Sequence, residues 1–93
     1  MDTEENLAPD LDWMVYIIQA DDTSWYTGIT NDFAARWQKH LSGKGAKFFR
    51  GRKPEKLHYL EKGHNRSSAS RREAVIKKLS RTQKLLLTGE VTV

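Results

Sequence analysis

Five polar side chains stand where the apolar pattern of this chain would place something else. Between them they offer two phenols, a guanidinium, an imidazole and a carboxylate. Tyr16 falls inside the apolar run Trp13–Ile18, and Tyr26 inside the aromatic and β-branched run Trp25–Ile29. Arg36 and His40 are four residues apart, so on a helix they share a face at the edge of a Phe33, Trp37 and Leu41 stripe. Glu73 comes four residues after Ala69 and three before Ile76, which turns its carboxylate towards the inward side of a helix. A carboxylate there requires a cation, a metal or hydrogen bonds, because an unpaired buried charge is costly. Each residue also has an ordinary structural use. Strand tyrosines are commonly core aromatics, Arg36 could pair with Asp32, and His40 could be a capping or surface histidine. Glu73 could complete a capping box with Ser70 or pair with Lys77. Function requires the five to converge, and spacing alone does not establish that.

The elements that must bring them together can be read from the same pattern. Trp13–Ile18 is apolar on both alternating faces, as in a strand covered on both sides and central in its sheet. Asp21-Asp22-Thr23-Ser24 is turn chemistry, and the two runs form a hairpin. For Tyr16 and Tyr26 to share a face, paired residue numbers must sum to an even value, which requires an odd-length loop or a bulge. Thr30 or Asn31 caps a helix over about 31–42, ended by Gly43-Lys44-Gly45. The segment 43–54 reads as a basic loop, with Lys44, Lys47, Arg50, Arg52 and Lys53. Lys56 to Glu61 is a third strand. Asn65 or Ser67 starts a second helix with Ala69, Ile76 and Leu79 facing inward, and a third runs over 80–87 before Gly89. The expected class is α+β, a small mainly antiparallel three-stranded sheet flanked by helices in the order β-β-α-β-α-α.

Ninety-three residues suit one domain. It is expected over 12–88, between an acidic flexible tail over 1–11 and a short C-terminal tail over 89–93. The chain has no cysteine, which excludes disulfides and thiolate ligands. No apolar run approaches the roughly 20 residues of a membrane span, and no signal pattern opens the chain. A cytoplasmic monomer without a membrane partner is therefore expected. Net charge is +4. Five of the twelve acids (Asp2, Glu4, Glu5, Asp10, Asp12) precede residue 13, so the rest carries all 16 bases against seven acids. Such an excess favours a polyanionic partner, with nucleic acid ahead of an acidic protein or a membrane surface.

Val15-Tyr16-Ile17, followed ten residues on by Tyr26-Thr27-Gly28, resembles the two-part signature of the GIY-YIG endonuclease superfamily. Arg36, His40 and Glu73 follow in the family's order. Ser42-Gly43-Lys44-Gly45-Ala46-Lys47 and Lys78-Leu79-Ser80-Arg81 are similar to its small single-domain, YhbQ-like bacterial members. The match runs from about Trp13 to Leu87. The resemblance implies phosphodiester hydrolysis in DNA, with RNA as a second candidate, using one Mg²⁺ or Mn²⁺ ion held by Glu73. It gives Arg36 the charge developing on the phosphate, and Tyr16, Tyr26 or His40 the proton of the attacking water. The five basic loop residues would hold phosphates without reading sequence. Low sequence specificity, single-strand competence and a place in DNA repair or turnover are expected. Two positions depart from the family pattern. Met14-Val15 replaces Gly-Ile, and the last helix lacks the usual asparagine, with Gln83 and Lys84 the candidates to replace it. The alternative is a binding module that keeps the fold and cuts nothing.

Overall fold

The computed structural model describes residues 11–89. All but Leu11 of the expected acidic tail, and residues 90–93 of the C-terminal one, lie outside them. Strand β1 (Trp13–Ala20) is central in a fully antiparallel sheet of order β2-β1-β3, between β2 (Trp25–Thr30) and β3 (Pro54–His64). Helices α1 (Phe33–Leu41), α2 (Arg66–Lys77) and α3 (Arg81–Thr88) complete the order β-β-α-β-α-α, and the class is α+β as expected.

Alternation in β1 separates two cores. Val15 and Ile17 pack with Ala69 and Ile76 of α2, joined by Trp25, Ile29, Tyr59, Leu79 and Leu87. Tyr16, Ile18 and Ala20 pack on the other face with Phe49, Tyr26, Phe33, Trp37 and Leu60. Val15, Tyr16, Ile17 and Ile18 have no solvent exposure, which is why the run is apolar on both sides.

The hairpin meets the parity requirement. Ile18 pairs with Tyr26 and Tyr16 with Gly28, so both tyrosines project from one face. The loop has three residues, Asp21, Asp22 and Thr23: Ala20 N–H donates to the Ser24 carbonyl at 2.8 Å, and Thr23 takes φ +70°. A left-handed residue is what a three-residue hairpin needs in that place.

Several sequence expectations are corrected. Asp32, not Thr30 or Asn31, caps α1, its extended backbone letting the carboxylate accept from Ala35 N–H at 3.1 Å. Leu41 is 40% exposed, so the buried stripe of α1 ends at Trp37, and His40 is the helix's fully buried residue. The basic loop contains a 3₁₀ turn at Lys47–Arg50, whose Phe49 is 1% exposed. Two apolar rings among five cations carry no helical or strand period, yet they close the Tyr16 face. β3 is longer than expected because bulges shift its register against β1. α2 starts from Asn65, which forms its capping box with Ser68, so Ser70 has no capping role. Ser80 and Gln83 form the box of α3, and Gly89 ends it at φ +74°.

Candidate active site

Tyr16, Tyr26 and His40 meet over the β2 side of the sheet. The Tyr16 hydroxyl lies 2.8 Å from His40 Nε2, and both residues are shut off from solvent. Tyr26 stacks beside them, its ring centre 6.2 Å from Tyr16 and 5.4 Å from His40. Phe49 lies 4.2 Å from the imidazole and 5.2 Å from Tyr26, so the 3₁₀ turn is the lid on this cluster.

Two glycines make the packing possible. A Cβ at Gly28 would stand 2.5 Å from Tyr16 Oη and 2.8 Å from Tyr26 Cε2. The bare backbone therefore lets the Tyr16 phenol lean across the edge strand. A Cβ at Gly45 would stand 2.8 Å from His40 Nδ1. The second glycine of Gly43-Lys44-Gly45 thus makes room for the imidazole, while Gly43, at φ +78°, ends α1.

Arg36 joins the cluster from α1. Its guanidinium acts on both Tyr16 and His40, and its buried Nε has no hydrogen-bond partner among the described residues. Asp32, its expected surface partner, is committed to the helix cap. Burial pushes the Tyr16 phenol up to about 12; Arg36 favours the phenolate but does not prevail, and Tyr26 and Glu73 add to the rise. Burial, then the Arg36 charge, lowers His40 to about 4. At neutral pH the site therefore holds a neutral phenol, a neutral imidazole and a guanidinium with an unused donor. His40 Nδ1 is also buried without a partner among the described residues.

Glu73 stands on α2, which packs against the opposite face of the sheet from Tyr16. α2 packs on β1 and β2, and the Glu73 charge acts at the Tyr16 phenol. Its carboxylate is 21% exposed and lies 3.3 Å from Lys77 Nζ, the pairing that spacing alone had allowed. Among the described residues no three His, Cys, Asp or Glu side chains are grouped to enclose a metal. One part-buried carboxylate does fit a hard divalent cation such as Mg²⁺, which keeps several waters and takes its remaining oxygens from a substrate phosphate.

The position of α2, and hence of Glu73, rests on a network that sequence reading missed. Glu61 on β3 accepts from Tyr59 Oη at 2.5 Å, lies 2.6 Å from His64 Nε2, and binds Arg72 Nε through both oxygens at 3.1 and 3.0 Å. His64 Nδ1 meets Ser68 Oγ at 2.9 Å in the first turn of α2. Burial opposes the Glu61 carboxylate, but the bonds from Tyr59, His64 and Arg72 outweigh it and hold Glu61 below its ordinary range. Members drawn from β3 and α2 share no single period to reveal them.

The basic loop divides. Lys44, Lys47, Arg50 and Lys53 are exposed. Arg52 is tied to Asp22 at 2.7 Å, donates to the Phe48 carbonyl at 3.2 Å and lies 4.4 Å over the Phe48 ring. It staples the 3₁₀ turn to the hairpin. Gln83 Oε1 accepts from Ser80 N–H, so the cap of α3 uses one of the two candidates for the missing asparagine.

Residues 12–85 match the GIY-YIG catalytic domain. The chain is 47% identical over 79 residues to the UPF0213 protein CPE1444 of Clostridium perfringens, covering 85% of each chain. It is 44% identical over 78 residues to the UPF0213 protein YhbQ of Escherichia coli, covering 84% of this chain and 78% of that one. The solution NMR structure of the UPF0213 protein BH0048 from Bacillus halodurans superposes with a TM-score of 0.53 at 44% identity, covering 83% and 82%. Signature tyrosines on one sheet face, with Arg36 and Glu73 acting at one phenol, are carried by a chain that belongs to the GIY-YIG family, among its small UPF0213 relatives.

Proposed function

We propose that the protein is a divalent-metal-dependent endonuclease that hydrolyses DNA phosphodiesters with low sequence specificity, in DNA repair or turnover. The observation that carries this reading is the Tyr16 phenol, bonded to His40 and acted on by both Arg36 and Glu73. A purely structural tyrosine needs one partner and gains nothing from a half-buried guanidinium beside it.

In this reading the scissile phosphate docks on the accessible end of the half-buried Arg36 side chain, and the guanidinium then holds the charge that builds in the transition state. Glu73 would hold an Mg²⁺ or Mn²⁺ ion, which would supply Lewis-acid stabilisation of the charge on the phosphate and on the leaving oxygen. Tyr16 Oη is closed to solvent in the free protein, so the relay requires substrate to open the cluster: the attacking water then gives its proton towards Tyr16 Oη, which passes its own to His40 Nε2. That relay needs the tautomer with the ring proton on Nδ1. A docked phosphate offsets the Arg36 charge and makes His40 a better acceptor than it is in the empty site. Tyr26 packs beside Tyr16 and limits its motion. Exposed Lys44, Lys47, Arg50 and Lys53 supply sequence-independent phosphate contacts.

The Glu73–Lys77 ion pair favours a second reading, a binding module whose carboxylate is structurally used. Incubation with end-labelled single-stranded, duplex and branched DNA, with and without Mg²⁺ or Mn²⁺, separates the two. Metal-dependent cutting supports the nuclease. Binding without cutting under every condition supports the module.

A further inference from the structure

A cleft of about 330 Å³ opens at the end of the sheet where β1 begins and β2 ends, between the first turns of α1 and α2. Its walls include Trp13 and Ile29 from the strands, Asn31 before α1, Arg36 and Lys39 from α1, and Arg66 from α2. We infer that this cleft receives an unpaired nucleobase next to the phosphate held by Arg36, with Trp13 as its stacking surface. The inference rests on the proposed docking of phosphate at Arg36 and adds a substrate class, nucleic acid that is locally single-stranded at the cut.

Three observations lead there. The volume is at the lower end of the roughly 300–1,000 Å³ of small-ligand sites, enough for one nucleotide and too small for a duplex. The chemistry of the walls is mixed in the way a nucleotide needs. Trp13 is partly buried against the sheet core, and the Arg66 guanidinium lies 5.6 Å from its ring centre, within cation–π range. Arg36, Lys39 and Arg66 supply three cations, none paired with a carboxylate among the described residues. Finally, the polar groups divide into used and unused. Asp32 caps α1 and Thr30 Oγ1 is bonded to the Asp32 backbone. Asn31 is exposed on the rim with no side-chain bond to any described residue, free to meet a base edge. Arg36 belongs to both the cleft and the reactive cluster, so a base seated beside Trp13 and a phosphate on Arg36 can come from one nucleotide step.

The test uses binding in metal-free buffer, so it does not depend on cutting. The chain has three tryptophans, and a base stacked on Trp13 quenches its emission. A single-stranded oligodeoxynucleotide should quench the parent's fluorescence, and a blunt hairpin duplex of the same composition should not. Trp13→Phe should remove most of the quench and keep the affinity for the single strand within a few-fold. Trp13→Ala should weaken single-strand binding roughly ten-fold or more, as loss of a stacking aromatic does, and leave duplex binding unchanged. Should Trp13→Ala fail to fold, Trp13→Phe alone decides. Equal quenching by both forms, no quenching by either, or a quench that survives Trp13→Phe overturns the inference. Protein that shows the Trp13 pattern but never cuts retains the pocket and loses the nuclease reading. Protein that cuts without the Trp13 pattern does the reverse.

Discussion

The Tyr16 hydroxyl and His40 Nε2 stand 2.8 Å apart in a space closed to solvent, under Phe49 and beside Tyr26 and Arg36. Burial of His40, and then the Arg36 charge beside it, gives the protein a defined acid sensitivity. An ordinary histidine takes up a proton near 6.5, whereas His40 in the fold resists until about 4. Protons therefore favour the unfolded chain between those values, and stability present above 6.5 is lost as pH falls towards 4. The loss is on the order of 3 kcal/mol. Urea unfolding across this range should show it in the parent, and a folded His40→Gln variant should show a flatter dependence. Parallel curves would contradict the assignment. Glu61, held below its usual range, adds a further loss at still lower pH.

Gly28→Ala should damage activity more than fold. The added methyl would meet Tyr16 Oη at 2.5 Å and Tyr26 Cε2 at 2.8 Å, so both rings must move. Overpacking of this kind costs about 1–3 kcal/mol, and displacing a reactive group by about an ångström can cost on the order of a hundred-fold in rate. Cleavage assays beside thermal melts check this. A variant with parental cleavage would show that the position of Tyr16 does not matter to the chemistry.

The loop cations should separate into two classes. Arg52→Ala should lower the melting temperature, because it removes the bond to Asp22 and the stack over Phe48. Neutralising Lys44, Lys47 and Arg50 together should leave the melt unchanged and flatten the salt dependence of DNA binding by about two to three in the log–log slope. Melts and salt titrations of both variants decide the matter. A salt slope that moves with Arg52 and not with Lys44, Lys47 and Arg50 would reverse the assignment.

Much of the frame was legible because it follows periodic rules. The double-sided apolar run of β1 announced a central strand, a shared face for Tyr16 and Tyr26 required an odd-length loop or a bulge and the loop has three residues, and Ala69 and Ile76 faced inward at helical spacing. The Tyr16–His40 contact was legible only as a candidate, since spacing put His40 at the edge of a stripe whose Leu41 is in fact exposed. Phe49 was hidden among cations, in a turn with no repeat. Glu61 was invisible because its partners come from β3 and from α2, with no single period joining them. Local pattern reports which way a side chain faces along its own element. It is silent on which distant residue fills the space opposite, and the site depends on that.

The central claim is that Glu73 carries the metal for a cut made at Tyr16 and Arg36. The most direct measurement is the rate at which Glu73→Gln cleaves end-labelled DNA in Mg²⁺ or Mn²⁺, beside the parent and with folding checked by melts. Glutamine keeps the shape of Glu73 and removes the charge that holds a divalent ion. The rate should fall by roughly a hundred-fold or more, while metal-free DNA binding stays level or rises as a negative charge leaves the site. A folded Glu73→Gln protein that cuts as fast as the parent would contradict the account.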